Sequence, residues 1–259
     1  MMWTTRPRSD VGPLAAITAG DGPTILLIHG VGLRAEAWGA QIDALGSSDH
    51  VVAVDVPGHG SSAGLRVAPD LSAYTETIAK CLTGPTVVIG HSFGAMIALD
   101  LAMSHTDHVA GVAALNAIYR RPPDARTAVM ARARSLDGVT IADPTAPLDR
   151  WFGPDPSPER AACENWLLNV DPAGYKAAYS VFAQEDGPAD TALRSLPCPA
   201  LFMTGAAEPN STPEMSRAMA ALAPNGRAVV IPGAAHMMPM THAEQVNAQL
   251  ASFIRECLP

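Results

Sequence analysis

Short, continuous apolar runs recur along the chain and alternate with stretches that carry apolar residues at helical spacing. Runs of this kind are typical of strands buried on both faces of a parallel sheet. We predict strands at 24–28, 51–55, 86–89, 109–115, 199–204 and 228–231. Helices are predicted at 71–82, 95–99, 213–223 and 243–254. This alternation, with short loops, indicates an α/β fold with a mostly parallel central sheet covered by helices on both faces.

The pattern changes between residues 118 and 196. Prolines interrupt this stretch at positions where strands would need N–H donors, so further sheet is excluded there. The same stretch is rich in arginine and in aromatic residues, namely Trp151, Phe152, Trp166, Tyr175, Tyr179 and Phe182. We therefore predict a helical insertion at 118–196 within a core made of 1–117 and 197–259.

Composition limits the classes of partner and location. At 259 residues and 48% hydrophobic, the chain can form one large α/β domain or two small ones. A net charge of -8, with Lys80 and Lys176 as the only lysines, argues against nucleic-acid and anionic-membrane partners. No apolar run reaches signal-peptide or transmembrane length, so we expect a cytoplasmic protein whose partner is a small-molecule substrate. The oligomeric state stays open.

The four cysteines give no sign of a metal site or a disulfide framework. The cysteines are Cys81, Cys163, Cys198 and Cys257. Their positions show no Cys-x-x-Cys spacing and no paired histidine ligands. We expect reduced, structural thiols, no metal and no cofactor.

A candidate nucleophile lies at the junction of a predicted strand and a predicted helix. The pentapeptide is Gly90-His91-Ser92-Phe93-Gly94. Glycines two residues before and after the serine allow a turn so sharp that strand and helix nearly touch, which exposes the Ser92 hydroxyl above the sheet edge. The alternative is an ordinary turn with an inert serine, so a base and an acid must also be found.

His236 and Glu208 are the candidate base and acid. A serine hydroxyl needs an adjacent base, and the base needs a third group to fix its tautomer. His236 follows the last predicted strand and Glu208 follows the strand before it, where functional groups collect at the carboxyl edge of a parallel sheet. An acid could instead follow the strand at 109–115, but Asn116 stands there.

Two backbone amides are candidates for an oxyanion hole. The N–H of Phe93 comes directly after the nucleophile, and the N–H of Val31 lies in a glycine-rich bend after a buried strand. Because both donors belong to the main chain, their side chains are nearly free to vary. The alternative for Val31 is a bend that only reverses the chain.

Several motifs together carry a family resemblance. They are His29-Gly30-x-Gly32, Asp55-x-Pro57-Gly58-His59-Gly60-x-Ser62, Gly90-x-Ser92-x-Gly94, Gly205-x-x-Glu208 and the late His236. Through these motifs the chain resembles the α/β-hydrolase superfamily across nearly its whole length. The resemblance implies the α/β-hydrolase fold and a catalytic triad of Ser92, Glu208 and His236. One departure is the glutamate, because most members carry aspartate there.

Two motifs in the insertion resemble a narrower group. Arg150-Trp151-Phe152 and Asp171-Pro172-x-Gly174-Tyr175 are similar to the cap region of β-ketoadipate enol-lactone hydrolases and related small esterases. This resemblance implies that the insertion is a lid over Ser92 and that Trp151 contacts the substrate. Packing and helix initiation are the alternative roles.

Other residues are weaker candidates for substrate contact. Met237 follows the base directly and could line an adaptable apolar pocket, although core packing explains it equally well. Three arginines could hold a substrate carboxylate, but an ordinary surface position is favoured for each: Arg120, Arg121 and Arg150.

These predictions favour a cofactor-free serine hydrolase that cleaves a small carboxylic ester or lactone through an acyl-enzyme on Ser92. The same triad could hydrolyse a carbon–carbon bond in a ring-fission diketone, a reaction that the family resemblance also covers. A small-molecule receptor with little turnover is a third hypothesis. Substrate identity depends on the shape of the lid and is not predicted.

Overall fold

The predicted alternation of strands and helices is present in the computed structural model, which describes residues 3–65 and 69–258. The strands of the described residues are β1 Ser9–Val11, β2 Leu14–Ala19, β3 Thr24–Ile28, β4 His50–Val54, β5 Thr86–His91, β6 Val109–Leu115, β7 Ala200–Gly205 and β8 Gly226–Ile231. The α-helices are α1 Gly39–Leu45, α2 Leu71–Ala79, α3 Phe93–Ser104, α4 Pro123–Ser135, α5 Thr145–Phe152, α6 Pro158–Leu168, α7 Pro172–Gln184, α8 Asp190–Arg194, α9 Pro213–Leu222, α10 Met238–Thr241 and α11 Ala243–Cys257. A 3₁₀ helix precedes α1 at Ala35–Trp38. Of the predicted core, residues 1, 2, 66–68 and 259 lie outside the described residues.

The described strands form one sheet in the order β1-β2-β4-β3-β5-β6-β7-β8. Strands β3 to β8 run parallel, whereas β1 and β2 are antiparallel additions at one edge. The chain moves outward from β3 to β4 and then returns to β5 on the other side of β3. Such a reversal opens a crevice at the carboxyl ends of the strands, where α/β proteins bind their ligands. Ile28 pairs with Gly90 across this junction, so the loops after β3 and β5 are neighbours.

Alternate side chains of the strands fill apolar layers on opposite faces of the sheet. Leu26 and Ile28 belong to the layer that includes α3, while Ile25 and Leu27 belong to the layer that includes α11. All four are at most 1% exposed. Continuous apolar runs therefore produce strands that are covered on both faces, and the predicted α/β-hydrolase fold is confirmed.

The segment 118–196 lies between β6 and β7 and contains α4 to α8. It rests on the loops after β3 and β4 through close contacts at glycine. A Cβ on Gly174 would overlap the carbonyl oxygen of Gly58, and one on Gly32 would lie 2.5 Å from Leu167 Cδ2. These contacts seat the segment, called the cap below, over the crevice of the sheet. The division of the chain into a core and a separate cap domain stays a prediction.

Neither a membrane span nor a metal cluster is found in the part of the chain that the structure describes. None of its helices is long and apolar enough to cross a bilayer. No three His, Cys, Asp or Glu side chains are grouped there as metal ligands would be. The four cysteines are free thiols.

Candidate active site

A strained turn places Ser92 between β5 and α3. Ser92 has φ 58° and ψ -117°, a conformation that residues other than glycine rarely adopt. A Cβ on Gly90 would overlap the carbonyl oxygen of Gly94, and a Cβ on Gly94 would overlap that of Ile28. Both glycines are thus required by the close approach of strand and helix. The turn has the predicted form of a nucleophile elbow, with Ser92 on the wall of a cavity.

Glu208 and His236 come together from the loops after β7 and β8. Oε2 of Glu208 lies 2.8 Å from Nδ1 of His236. The other carboxylate oxygen, Oε1, accepts hydrogen bonds from the amides of Asn210 at 2.7 Å and Ser211 at 3.3 Å. Burial raises the pKa of Glu208, but the attraction of His236 and these hydrogen bonds outweigh it and hold the pKa at about 2.

The ionised state of Glu208 fixes the tautomer of His236. A carboxylate can only accept a hydrogen bond, so Nδ1 of His236 carries the proton. Nε2 is then left with a free lone pair that can accept a proton from a hydroxyl. His236 lines the same cavity as Ser92. The structure therefore pairs Glu208 with His236 and places Ser92 on the same cavity as His236, while their roles as a catalytic triad stay a prediction.

Two further rings contact the imidazole of His236. The indole of Trp151 is stacked on it, with centroids 5.6 Å apart and an interplanar angle of 19°. The ring of His91 lies 4.9 Å away at 54°. Burial lowers the pKa of His91 to about 3, so this ring is neutral. Its Nε2 donates to the carbonyl oxygen of His236 at 2.8 Å, which ties the base loop to the elbow strand.

Both residues predicted to supply the oxyanion donors belong to segments next to Ser92: Phe93 follows it directly, and the loop of Val31 approaches it at Gly30. Phe93 is the first residue of α3, and the first N–H groups of a helix have no partner within it. Its side chain is buried against Tyr74, with ring centroids 5.1 Å apart, so only its amide belongs to the site. Val31 lies in the bend after β3 and lines the cavity.

Buried histidines shape the loop that carries Val31. Nε2 of His59 accepts the Gly32 amide at 3.0 Å, and Nε2 of His29 accepts the Val56 amide at 2.9 Å. Burial lowers the pKa of His59 to about 3, which keeps it a neutral acceptor. These two histidines hold the main chain in place rather than taking part in proton transfer.

The cavity has a volume of about 280 Å³ and lies between the sheet edge and the cap. Four predicted site residues line it: Ser92, His236, Val31 and Trp151. Glu208 lies behind His236 and is 3% exposed. Met237 is placed elsewhere, because it is 1% exposed and packs with Leu33 and Leu148 in an apolar cluster. Of the two roles considered for Met237, its position fits core packing.

The arginines near the cavity fall into two groups. Arg120 is exposed and pairs with Asp190 at 2.6 Å, away from the cavity wall. Arg121 is buried and contributes to the cavity wall, but its guanidinium is occupied by Asp186 and by carbonyl oxygens at the end of α7. Both therefore stabilise the cap. Arg150 lines the cavity, as does Arg132, which was not among the predicted candidates.

Arg132 has hydrogen-bonding capacity to spare. Its Nη2 is buried and has no hydrogen-bond partner among the described residues. The guanidinium lies 5.7 Å from the ring centre of Tyr179, so an aromatic face supports it. The described residues that line the cavity include no aspartate or glutamate. The wall thus presents cations without a carboxylate of its own, although Asp143 outside the wall attracts Arg132 and helps to raise its pKa.

Sequence reasoning missed other parts of the wall. Asn116 lines the cavity at the end of β6, with φ 53° and a buried Oδ1 that has no partner among the described residues. Its Nδ2 donates to Thr204 Oγ1 at 3.2 Å. The loop 209–212 also contributes to the wall. Asn116 directly follows a predicted parallel strand, and this position alone could have identified it as a residue of the cavity wall.

Comparison with known proteins agrees with this geometry. A family model described as the alpha/beta hydrolase family matches residues 25–249. A curated relative from Acinetobacter baylyi, (E)-2-((N-methylformamido)methylene)succinate hydrolase, is 38% identical over 91% of this chain and 91% of its own. A pimeloyl-[acyl-carrier protein] methyl ester esterase from Chromobacterium violaceum is 27% identical over 92% of this chain and 96% of its own.

Solved structures of hydrolases share the fold of this chain. A thermophilic esterase from Thermogutta terrifontis superposes with a TM-score of 0.86 at 26% identity, covering 98% of this chain and all of that one. The enol-lactonase from Burkholderia xenovorans shares the fold, with a TM-score of 0.80 at 22% identity over 96% of this chain and 100% of its own. The elbow, the paired carboxylate and histidine, and the extent of the family match lead to one conclusion: the chain belongs to the alpha/beta hydrolase family.

Proposed function

We propose that the protein is a serine hydrolase that cleaves an acyl bond in a small, carboxylate-bearing compound through an acyl-enzyme on Ser92. The observation that carries the proposal is the 2.8 Å pairing of His236 Nδ1 with a buried, ionised Glu208, on the cavity that Ser92 also lines. This arrangement supplies a nucleophile and an oriented base on one cavity wall.

The proposed reaction proceeds in two steps. Nε2 of His236 takes the hydroxyl proton as Ser92 Oγ attacks the substrate carbonyl, and Glu208 stabilises the resulting imidazolium. The amides of Val31 and Phe93 bind the oxyanion. His236 then returns the proton to the leaving alcohol or amine, which leaves Ser92 acylated. Water, activated by the same histidine, releases the acid and restores the hydroxyl.

The cavity wall favours an anionic substrate. Arg132 and Arg150 contribute positive charge, and the described lining residues include no carboxylate, although the whole chain carries a net charge of -8. The free Nη2 of Arg132 provides a donor for a carboxylate oxygen. A volume of about 280 Å³ lies near the lower end of ligand pockets, about 300–1,000 Å³, which suits a small molecule.

The relatives support this class of substrate. The name of the Acinetobacter baylyi enzyme specifies a succinate, a dicarboxylate, that bears a formamido group. The Thermogutta terrifontis esterase is described as malate bound, and malate is also a dicarboxylate. We therefore propose that the substrate carries at least one free carboxylate and that the bond broken is an ester, lactone or amide.

A matched pair of esters tests the proposal. The mono-4-nitrophenyl ester of adipic acid carries a free carboxylate, and its methyl ester is a neutral analogue of similar shape. We expect kcat/KM to be about 10- to 100-fold higher for the acid, the range of a charged hydrogen bond. Equal values would overturn the carboxylate preference. Full turnover by Ser92→Ala, after subtraction of spontaneous hydrolysis, would overturn the mechanism.

A further inference from the structure

The base of the proposed triad is contacted by a residue of the cap. Trp151 lies in the last turn of α5, and its indole is nearly parallel to the His236 imidazole, at 19° and 5.6 Å. The triad itself holds this ring through one atom, because Glu208 binds only Nδ1. The χ2 torsion of histidine has a broad energy minimum, so one hydrogen bond at Nδ1 leaves the tilt of the ring to its packing.

We propose that Trp151 is a positioning residue that sets the tilt of the His236 ring, an inference that rests on the function proposed above. Together with the His91 ring on the core side, contact with the indole restricts rotation about the Glu208 hydrogen bond and would turn Nε2 towards the cavity that Ser92 also lines. The same contact covers the base from water. An indole face also attracts the positive charge that the imidazole acquires during proton transfer. Through Trp151, placement of the cap becomes part of the catalytic geometry.

The structure fixes Trp151 from behind. Arg160 of α6 donates to Asp149 Oδ1 at 2.8 Å and to the carbonyl oxygen of Gly153 at 3.2 Å, which holds the end of α5 on either side of Trp151. Leu148, one turn earlier, is 1% exposed and packs into the apolar cluster beneath the cap. Arg160 does not line the cavity. It therefore gives a way to loosen Trp151 without touching the substrate.

Kinetics distinguish a positioning role from a substrate contact. Trp151→Leu removes the aromatic face, whereas Trp151→Phe retains one. We expect the leucine variant to lower the acylation rate constant by about 10- to 100-fold, as misplaced reacting groups do, with KM changed less than about 2-fold. The phenylalanine variant should stay within about 5-fold of wild type. A raised KM with an unchanged rate constant, or equal losses in both variants, would overturn the proposal.

The variant Arg160→Met tests the same link from outside the site. We expect a loss in the acylation rate constant in the same direction as Trp151→Leu and smaller, again with little change in KM. Arg217→Met removes an exposed ion pair of α9 and serves as the control for the lost charge. Wild-type rates in Arg160→Met would contradict a role for the cap in placing the base.

A measurement that needs no substrate tests the role of Trp151 independently of the proposed function. Diethyl pyrocarbonate acylates accessible imidazoles, and tandem mass spectrometry locates the product. We expect modification of His236 to be several-fold faster in Trp151→Leu than in wild type, with the exposed His108 as the internal control. An unchanged rate at His236 would overturn the shielding by Trp151. This outcome does not depend on whether the wild type hydrolyses any ester.

Discussion

Oε2 of Glu208 and Nδ1 of His236 are 2.8 Å apart, and this contact joins the loops that follow two adjacent parallel strands. The two strands pair in parallel at six successive positions, from Ala200–Gly226 to Gly205–Ile231, so the two loops begin at fixed positions on the sheet edge. The glutamate is held further by two main-chain amides. The acid of the proposed triad is therefore placed before any substrate binds.

Replacing Glu208 should impair catalysis through the tautomer of His236. Glu208→Gln keeps the size of the side chain but removes the charge, and we expect kcat to fall by about 10²–10⁴-fold. Glu208→Asp retracts the carboxylate by one methylene and should cause a smaller loss. Steady-state kinetics measure both variants. Glu214→Gln, on the exposed face of α9, is the control. Retention of a third of the activity by Glu208→Gln would refute the assignment.

Acid should weaken the fold through the same residue. The pKa of Glu208 falls from 4.5 to about 2 on folding, because His236 and two amides outweigh burial. Its ionised form thus stabilises the fold fully above the unfolded pKa, and this contribution is lost as the pH falls towards about 2. Glu208→Gln cannot titrate. Urea unfolding from about pH 6 to about pH 2 should show the stability difference between the two proteins narrowing below about pH 4.5. A constant difference would contradict the lowered pKa.

The elbow should not tolerate a side chain at Gly90. Since an added Cβ would overlap the Gly94 carbonyl, Gly90→Ala should cost at least about 3 kcal/mol in the free energy of unfolding or prevent folding. Gly84→Ala is the matched control, because nothing lies within 4 Å of its added Cβ. We expect the control to fold like wild type. Thermal and urea unfolding compare them, and equal stability of the two variants would show that the turn is looser than described.

Arg132 should act on charged substrates alone. For the carboxylate ester, Arg132→Gln should raise KM by about 10- to 100-fold, the range of a lost charged hydrogen bond, and leave the neutral ester unaffected. Arg134→Gln removes the same charge from the exposed side of α4 and provides the comparison. Equal losses on both esters would instead mean that Arg132 only stabilises the cap through Tyr179.

Much of the fold could be predicted because its strands are buried on both faces. The strands at 24–28 and 109–115 have the predicted bounds, since continuous apolar runs end abruptly at turn residues. The antiparallel β1 and β2 were not predicted. They are short and lie between glycine and proline residues, and their pairing with β4 depends on tertiary contacts that local patterning does not record.

The candidate site likewise has one part that the sequence predicts and one part that it does not. Ser92, Glu208 and His236 each follow a recognisable strand, so topology alone brings them to one edge. Arg132 had no such signal, because it lies on a mostly polar helix whose approach to the cavity depends on how α4 packs against α7. Met237 shows the converse, since adjacency to the base in sequence does not place its side chain on the cavity wall.

Rapid mixing of the wild type with the mono-4-nitrophenyl ester of adipic acid tests the central claim most directly. We predict a burst of about one equivalent of nitrophenolate, as an acyl-enzyme accumulates. Quenched samples should carry one adipoyl group, located on Ser92 by peptide mass spectrometry and absent from Ser92→Ala. Acylation at another residue, or undiminished turnover by Ser92→Ala, would contradict the account.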